Sequence, residues 1–148
     1  MADILSILDK CDVMRLGLCV DNKPYIVPMN FAYERIGEEV FIYFHSASRG
    51  RKLDMIAQNS NACFEADCLY RTVEADTPCA WSAEFESVLG EGTIAVLPDE
   101  AEKIRVLDLF MERYGFQGKP QYSAQALAAT VILQLSVSSI SGKCNMKK

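Results

Sequence analysis

The sequence predicts a mainly β domain with flanking helices, in which six antiparallel strands form a small closed or partly closed barrel. Six runs of residues alternate between apolar and polar side chains, whereas helical spacing is confined to segments between them. The 148 residues are half hydrophobic and 24% charged, which is typical of one core and predicts a single domain over 1–148. A closed sheet is expected because closure protects the edge strands.

The first half of the chain predicts a helix, three strands and a second helix. The first helix, over 2–12, has apolar residues at helical spacing, namely Ile4, Ile7, Leu8 and Cys11. The three strands are predicted at 14–20, 25–33 and 40–45. Short turn signals join them into an antiparallel meander. Pro28 has no backbone N–H, so the second strand should have an edge or a bulge there. A small-residue loop then leads into the second helix.

The second half predicts three more strands and the longest helix. The strands are expected at 61–70, 81–97 and 130–140, and a polar loop lies between the first two. Gly90 and Gly92 should allow a bend or a close backbone approach in the long strand. Pro98 starts the long helix and Gly115 ends it. Its predicted buried stripe consists of Ala101, Ile104, Leu107, Met111 and Tyr114. A short helix near 123–128 precedes the last strand.

The charge of the chain argues against two classes of partner. The formal net charge is -5 and the pI is about 4.9. A general nucleic-acid binder needs broad neutralisation of phosphates, and attachment to anionic membranes also needs positive charge. Residues 120–142 are uncharged, but apolar and polar side chains alternate over 130–138, which predicts a strand rather than a transmembrane helix. We therefore expect neither nucleic acid nor membrane as a partner.

The cysteines and the single histidine limit the possible metal and redox sites. The six cysteines show no C-x-x-C spacing, which argues against a zinc ribbon or a thioredoxin-type motif. Charged residues interrupt the apolar N-terminus, so no signal peptide is predicted and a cytoplasmic location with reduced thiols is expected. The cysteines are then interpreted as small buried hydrophobes. His45 is the one histidine, which excludes multi-histidine metal sites. Lys147 and Lys148 are expected to form a free tail.

A cluster of cations after the third strand is the most informative local feature. Arg49, Arg51 and Lys52 give the window 45–52 a charge of +3, whereas the rest of the chain carries -8. The cluster lies at a predicted helix N-terminus, where free backbone N–H groups and the helix dipole favour an anion. A Walker A motif is absent, so the pattern indicates a phosphate clamp of another kind or a solvated basic turn.

These segments together resemble a known family. The sequences PYIVPMNFAY, FHSASRGRK, FESVLGEG and SISGK follow one another in that order. They are similar to the nitroimidazole-resistance branch of the pyridoxamine-phosphate-oxidase-like flavoproteins, and the resemblance runs over nearly the whole chain. It implies the FMN-binding split barrel, here as a six-stranded antiparallel split β-barrel. It also implies a homodimer with FMN at the subunit interface. No Rossmann fingerprint is present, which agrees with a mononucleotide flavin.

The resemblance implies a set of cofactor-binding residues. Arg51 and Lys52 match the basic pair that holds the FMN phosphate, and Ser46 matches a polar position at the same end. The other implied FMN-binding residues are Pro28, Met29, Asn30, Phe44, His45, Ser87, Val88 and Lys143. Met29 and Phe44 are also consistent with ordinary core positions. His45 is the candidate catalytic residue, either as a proton donor to the substrate or as a hydrogen-bond partner of FMN.

Three functions are consistent with these residues. The resemblance implies an FMN-dependent oxidoreductase that reduces a small electron-poor organic molecule, as a nitroimidazole reductase does. Pyridoxamine-phosphate oxidation is the second possibility. It would need a second phosphate site and a basic C-terminal strand, and the absence of any arginine after Arg113 argues against it. A non-catalytic flavin- or haem-binding module is the third possibility, with His45 as the one histidine able to ligate haem iron.

Overall fold

The computed structural model describes residues 2–146, with side chains from Ile4 onward. The predicted tail of Lys147 and Lys148 lies outside this range. The strands are β1 (Met14–Val20), β2 (Lys23–Met29), β3 (Ala32–Ile36), β4 (Glu39–Ala47), β5 (Asn61–Val73), β6 (Ser82–Val96) and β7 (Thr130–Asn145). The helices are α1 (Ala2–Leu8), α2 (Arg51–Gln58), α3 (Glu100–Arg113) and α4 (Ala124–Ala129), with a short 3-10 helix at Pro78–Ala80. The predicted mainly β fold with flanking helices is confirmed.

The strands form one antiparallel sheet in the order β2-β1-β5-β6-β7-β4-β3. The chain runs from β2 directly into β3, although these strands lie at opposite edges of the sheet. The sheet must therefore curl to bring its edges together, yet it does not close, as in a split barrel. Pro28 lies on the edge strand β2, as expected from its missing N–H. The predicted three-strand meander is wrong, because the predicted second strand divides into β2, which pairs with β1, and β3, which pairs with β4 at the opposite edge of the sheet.

The described sheet contains seven strands rather than the six predicted, because the predicted strand over 25–33 is two strands. The break falls at Asn30 and Phe31. The Phe31 side chain is fully buried, and its backbone N–H donates to the Tyr114 hydroxyl at 3.2 Å. The Asn30 side chain donates to the carbonyl of Asp12 at 3.1 Å. These contacts come from distant parts of the chain and replace ladder hydrogen bonds at the break.

Two apolar clusters lie on opposite sides of β4. Phe44 belongs to the larger cluster, which fills the curled sheet beneath α1 and α2. Tyr43 belongs to the smaller one, which packs against Val106 and Phe110 of α3. Adjacent strand residues point to opposite faces, so β4 contributes to both clusters at once. This arrangement places α3 against the same face of β4 that carries His45.

Two helices differ from their predicted form. The first ends at Leu8 rather than 12, and the chain continues in turns to Cys11. Helix α3 begins after Asp99, whose side chain accepts a hydrogen bond from the Glu102 N–H, and it buries Val106 and Phe110. The predicted buried stripe was therefore rotated from the true one. Gly115 ends the helix at φ 80°, a conformation that favours glycine.

Gly90 and Gly92 allow the close backbone approach that the sequence predicts. A Cβ at Gly90 would lie 2.6 Å from the carbonyl oxygen of Ser139, and one at Gly92 would overlap the carbonyl oxygen of Ser136. A register shift between Glu91 and Gly92 also marks an irregularity in the pairing with β7. The two glycines therefore let β6 and β7 pack closely where their pairing register shifts.

Candidate functional site

The cation cluster lies at an open helix N-terminus. Gly50 precedes α2 with φ 139°, and no side chain caps the helix. The N–H groups of Leu53 and Asp54 return to the Gly50 carbonyl, so those of Arg51 and Lys52 lie ahead of the helical bonding pattern. A Cβ at Gly50 would meet nothing within 4 Å, so no other atoms crowd that side of the residue before the helix. Backbone donors and two cationic residues therefore occur together in the first turn of α2.

Aromatic contact holds one of these cations in place. The Arg51 guanidinium lies over the ring of Tyr25, 4.6 Å from its centroid. Tyr25 is on β2, the strand that ends at Pro28 and Met29. Pro28 is exposed and Met29 is half-buried, so both are accessible near the end of this edge strand. Arg51 therefore connects the cation cluster to the strand that the sequence predicts to lie along a ligand.

Three predicted contact residues are buried. Phe44 and Val88 are fully buried in the larger core, so neither residue has any solvent-exposed surface in this structure. Ser46 is 7% exposed, and its hydroxyl donates to the Ala47 carbonyl at 3.0 Å. The hydroxyl is thus turned toward its own strand. The predicted contacts of these side chains with a ligand stay predictions.

His45 lies beside an apolar cavity that the sequence did not predict. Its ring meets Phe110 edge to face, with centroids 5.0 Å apart and planes at 90°. Burial, followed by the positive charge of Lys52, holds the pKa of His45 below its usual value. The imidazole is therefore neutral at pH 7 and offers one hydrogen-bond donor and one acceptor.

The cavity has a volume of about 260 Å³ and is mostly apolar. It is lined by Asn30, His45, Leu107, Phe110, Met111 and Tyr114. Tyr114 stacks on Phe110 with ring centroids 6.4 Å apart, and its hydroxyl donates to the Asp12 carbonyl at 2.8 Å. These contacts fix the aromatic wall from α3. Of the predicted site residues, the structure brings Asn30 and His45 together in this cavity.

The sequence predicts Leu107, Met111 and Tyr114 as core residues, and it does not predict that they line this cavity. They are partly or largely exposed and form the cavity wall, whereas Val106 and Phe110 are buried. The available signal was the pair Phe110 and Tyr114, two aromatic residues one helical turn apart just before a helix stop. That signal alone does not show which strand the helix packs against.

Ser87 and Lys143 form a separate region. They are register partners on β6 and β7, and the Lys143 ammonium lies 5.4 Å from the centroid of the Phe85 ring. His45 pairs with Ile132, and Lys143 lies eleven residues further along β7. At about 3.3 Å per residue this is roughly 36 Å of strand. Within one chain, strand pairing therefore does not bring Ser87 and Lys143 close to the His45 cavity.

Two other site types are not found in the described part of the chain. Among residues 2–146, no three His, Cys, Asp or Glu side chains are grouped so that they could hold a metal ion. The helices over the same range are too short or too polar to cross a membrane. Of the expected FMN phosphate residues, Arg51 and Lys52 are adjacent in the first turn of α2.

Solved structures show the same fold. A candidate 5-nitroimidazole antibiotic resistance protein from Bacteroides thetaiotaomicron superposes with a TM-score of 0.82 at 29% identity, over 95% of this chain and 81% of that one. A flavocytochrome from Azotobacter vinelandii gives a TM-score of 0.83 at 24% identity, over 99% and 68%. A FAD- and haem-binding protein from Mycobacterium smegmatis gives 0.82 at 23%, over 95% and 69%. The last two, given their low identity, bear on the fold alone.

The sequence itself carries the family assignment. No curated protein sequence matches the chain. The sequence profile of the pyridoxamine 5'-phosphate oxidase family, however, matches residues 1–144, which is nearly the whole chain. This agrees with the seven-strand split barrel and confirms the resemblance found in the sequence segments. The chain belongs to the pyridoxamine 5'-phosphate oxidase family.

Proposed function

We propose that this protein binds FMN and reduces a small, electron-poor organic molecule in the cavity beside His45. The carrying observation is the uncapped N-terminus of α2, where Arg51 and Lys52 occupy the first turn and their backbone N–H groups lie ahead of the helical bonding pattern. Such an arrangement suits a terminal phosphate, which carries negative charge and several acceptor oxygens. The protein of the same fold that is named for 5-nitroimidazole resistance supports the same proposal.

The residues present fit the flavin. Arg51 and Lys52 would hold the phosphate, and the Tyr25 ring keeps Arg51 near the helix terminus. The backbone at Pro28 and Met29 would meet the polar edge of the ring, since edge strand β2 leaves backbone groups free of a second strand. A bound flavin would supply the redox chemistry, by accepting and donating electrons or hydride at its ring. The protein would bind the flavin, orient its ring and surround it with a defined set of side chains.

The cavity favours a small neutral substrate. Its volume of about 260 Å³ is at the low end for ligand sites, and its walls are mostly apolar. The neutral His45 ring would donate a hydrogen bond to an acceptor atom such as a nitro oxygen. The Asn30 side chain is exposed on the other side and can orient a polar substituent. Phe110 and Tyr114 would pack against the ring of the substrate.

A second copy of the chain would complete the site in this proposal. Ser87 and Lys143 form a region far along β7 from His45, so they would reach the flavin from the partner rather than from the same chain. Exposed apolar side chains on the sheet, among them Ile26 and Leu89, supply surface that a homodimer could bury. Sedimentation of the purified protein should then give the mass of a dimer.

The phosphate clamp is tested by comparing FMN with riboflavin, which lacks the phosphate. The wild type should bind FMN at least about tenfold more tightly than riboflavin, because charged hydrogen bonds to phosphate contribute roughly 1.5 kcal/mol or more each. The double variant Arg51→Ala and Lys52→Ala should lose that preference and bind riboflavin as before. A matched double variant, Arg35→Ala and Lys119→Ala, removes two cations elsewhere and should keep the preference.

Equal FMN affinity in the wild type and the Arg51/Lys52 variant would refute the clamp. A Soret band without flavin absorption in the purified protein would refute the flavin assignment in favour of haem. For the reaction, the flavin-loaded protein is reduced without oxygen and mixed with a 5-nitroimidazole. Rapid flavin reoxidation, slowed in His45→Gln, is expected. Reoxidation no faster than for free reduced FMN would remove the reductase proposal while leaving the binding proposal intact.

A further inference from the structure

Two cysteines lie against each other outside the proposed site. The Sγ atoms of Cys11 and Cys68 are 3.2 Å apart, closer than an ordinary contact between two sulfur atoms. Cys11 follows the turn after α1, and Cys68 lies on β5, 57 residues later in the sequence. Because the two residues come from separate elements, their contact is a property of the folded chain rather than of local sequence.

Hydrogen bonds hold both sulfur atoms in this position. The Cys11 thiol donates to the Ile7 carbonyl at 3.3 Å, and the Cys68 thiol donates to the Lys10 carbonyl at 3.1 Å. The backbone of Cys11 is held as well, because its N–H donates to the Leu8 carbonyl at 3.1 Å. A disulfide bond is about 2.05 Å long, so the sulfurs need to approach by only about 1 Å.

The two thiols differ in access to solvent. Cys11 is 2% exposed, and burial, together with the contact with Cys68, raises its pKa to about 12. Cys68 is only partly buried, so of the two residues it is the one more open to a soluble oxidant. A buried thiol in contact with a reachable one is the arrangement of a resolving and an attacking cysteine. Proximity offsets the low thiolate fraction of Cys11.

We propose that Cys11 and Cys68 form a reversible disulfide when the protein meets a peroxide. The Cys68 thiolate attacks one peroxide oxygen, the O–O bond breaks, and Cys68 becomes a sulfenic acid as the peroxide is reduced. The Cys11 sulfur then attacks the Cys68 sulfur, the S–O bond breaks, and water leaves with the Cys11 proton. In total, two thiols and hydrogen peroxide give one disulfide and two waters. A dithiol reductant reverses the change.

The disulfide would join the end of α1 to β5 beside an existing ionic contact. Lys10, next to Cys11, pairs with Glu86 at 2.6 Å, and Glu86 is the register partner of Cys68 on β6. The bond would thus fix α1 to the sheet covalently and close a long loop in the unfolded chain. We expect the oxidised protein to unfold at a higher temperature than the reduced protein.

The test isolates the pair. In a variant with serine at the other four cysteines (Cys19, Cys63, Cys79 and Cys144), mild hydrogen peroxide should remove both titratable thiols and lower the mass by two hydrogen atoms. Protease digestion should then yield a linked Cys11–Cys68 peptide that dithiothreitol separates. In the wild type the same linked peptide should appear, which makes the result independent of whether the variant folds.

Single substitutions provide the matched controls. In the four-serine background, Cys11→Ser should trap a dimedone-reactive sulfenic acid at Cys68, and Cys68→Ser should leave Cys11 unreacted. Neither should gain thermal stability on oxidation. The proposal is overturned if the wild type yields only oxidised Cys19, Cys63, Cys79 or Cys144, if linkage is only between chains, or if Cys68 proceeds to sulfinic acid without the internal bond. None of these outcomes depends on flavin binding.

Discussion

Replacing Arg113 with methionine should lower the free energy of unfolding by about 3 kcal/mol. Arg113 is at the C-terminal end of α3, and its Nη2 donates to the carbonyls of Leu8 and Cys11 at 2.6 and 2.8 Å. These carbonyls belong to the last turn of α1 and the segment after it. One guanidinium therefore closes the end of α1 and joins it to α3. Methionine keeps the apolar stem but removes both hydrogen bonds.

The magnitude follows from the contacts. Two hydrogen bonds from a charged donor stabilise by about 1.5–3 kcal/mol each, and the Phe31 ring, 4.3 Å from the guanidinium carbon, adds about 1 kcal/mol. Against this, the Nε atom of Arg113 is buried without a hydrogen-bond partner, and removing it returns about 1–3 kcal/mol. The difference is about 3 kcal/mol, or roughly 6–12 °C in the unfolding temperature for a chain of this length.

Urea unfolding followed by circular dichroism measures this difference. Arg35→Met is the matched control, because Arg35 pairs with the 93%-exposed Glu38 and should contribute less than about 1 kcal/mol. Arg113→Lys should lose about half as much stability as Arg113→Met, since an ammonium keeps the charge but not the planar fork. If Arg113→Met and Arg35→Met unfold at the same urea concentration, Arg113 does not join α1 to α3 as the structure indicates.

Two further predictions concern the pKa of His45 and the close packing of β6 against β7 at Gly92. Lys52→Met should raise the pKa of His45, but that pKa should stay below its usual value because burial against uncharged Phe110 remains. Nuclear magnetic resonance of the one histidine ring measures the pKa. An unchanged titration would show that Lys52 does not act on His45. Gly92→Ala should destabilise the fold by about 1–3 kcal/mol, since its Cβ would overlap a backbone carbonyl. Gly142→Ala, which meets only movable side-chain atoms of α1, should cost less in the same thermal melts, and equal losses would contradict this account.

The local pattern of the chain predicted most elements because each depended on neighbouring residues. Alternation over 14–20 gave β1 with its correct bounds, and Asp21 and Asn22 form the following turn with positive φ. The break after Met29 could not be predicted this way. It depends on Tyr114, whose hydroxyl accepts from the Phe31 N–H across 83 residues of sequence. A continuous apolar run is predicted as one strand, because the sequence does not show that a distant side chain replaces one of its strand-pairing hydrogen bonds.

The candidate site divides along the same line. The cation cluster could be predicted because Arg51, Lys52 and the helix start are contiguous in sequence. The cavity wall could not, because the face of α3 that meets solvent depends on where β4 lies. Leu107 and Met111 have the composition of core residues, and only the packing of Phe110 against His45 shows that they border a cavity. Composition therefore predicts that these two residues are apolar, but not that they line a cavity instead of filling the core.

Separate elements thus carry the two recognition tasks of the proposed site. The N-terminus of α2 provides the anion-binding groups, and it is fixed to β2 through Arg51 and Tyr25. The cavity wall is provided by α3, which is fixed to α1 through Arg113. His45 lies between them, since Lys52 of α2 lowers its pKa and Phe110 of α3 packs on its ring. Substitutions on the exposed side of α3 would therefore change the shape of the cavity without removing a group proposed to hold the phosphate. In the proposed function, this separation would let one flavin-binding scaffold accept different small molecules, with His45 as the contact that both tasks share.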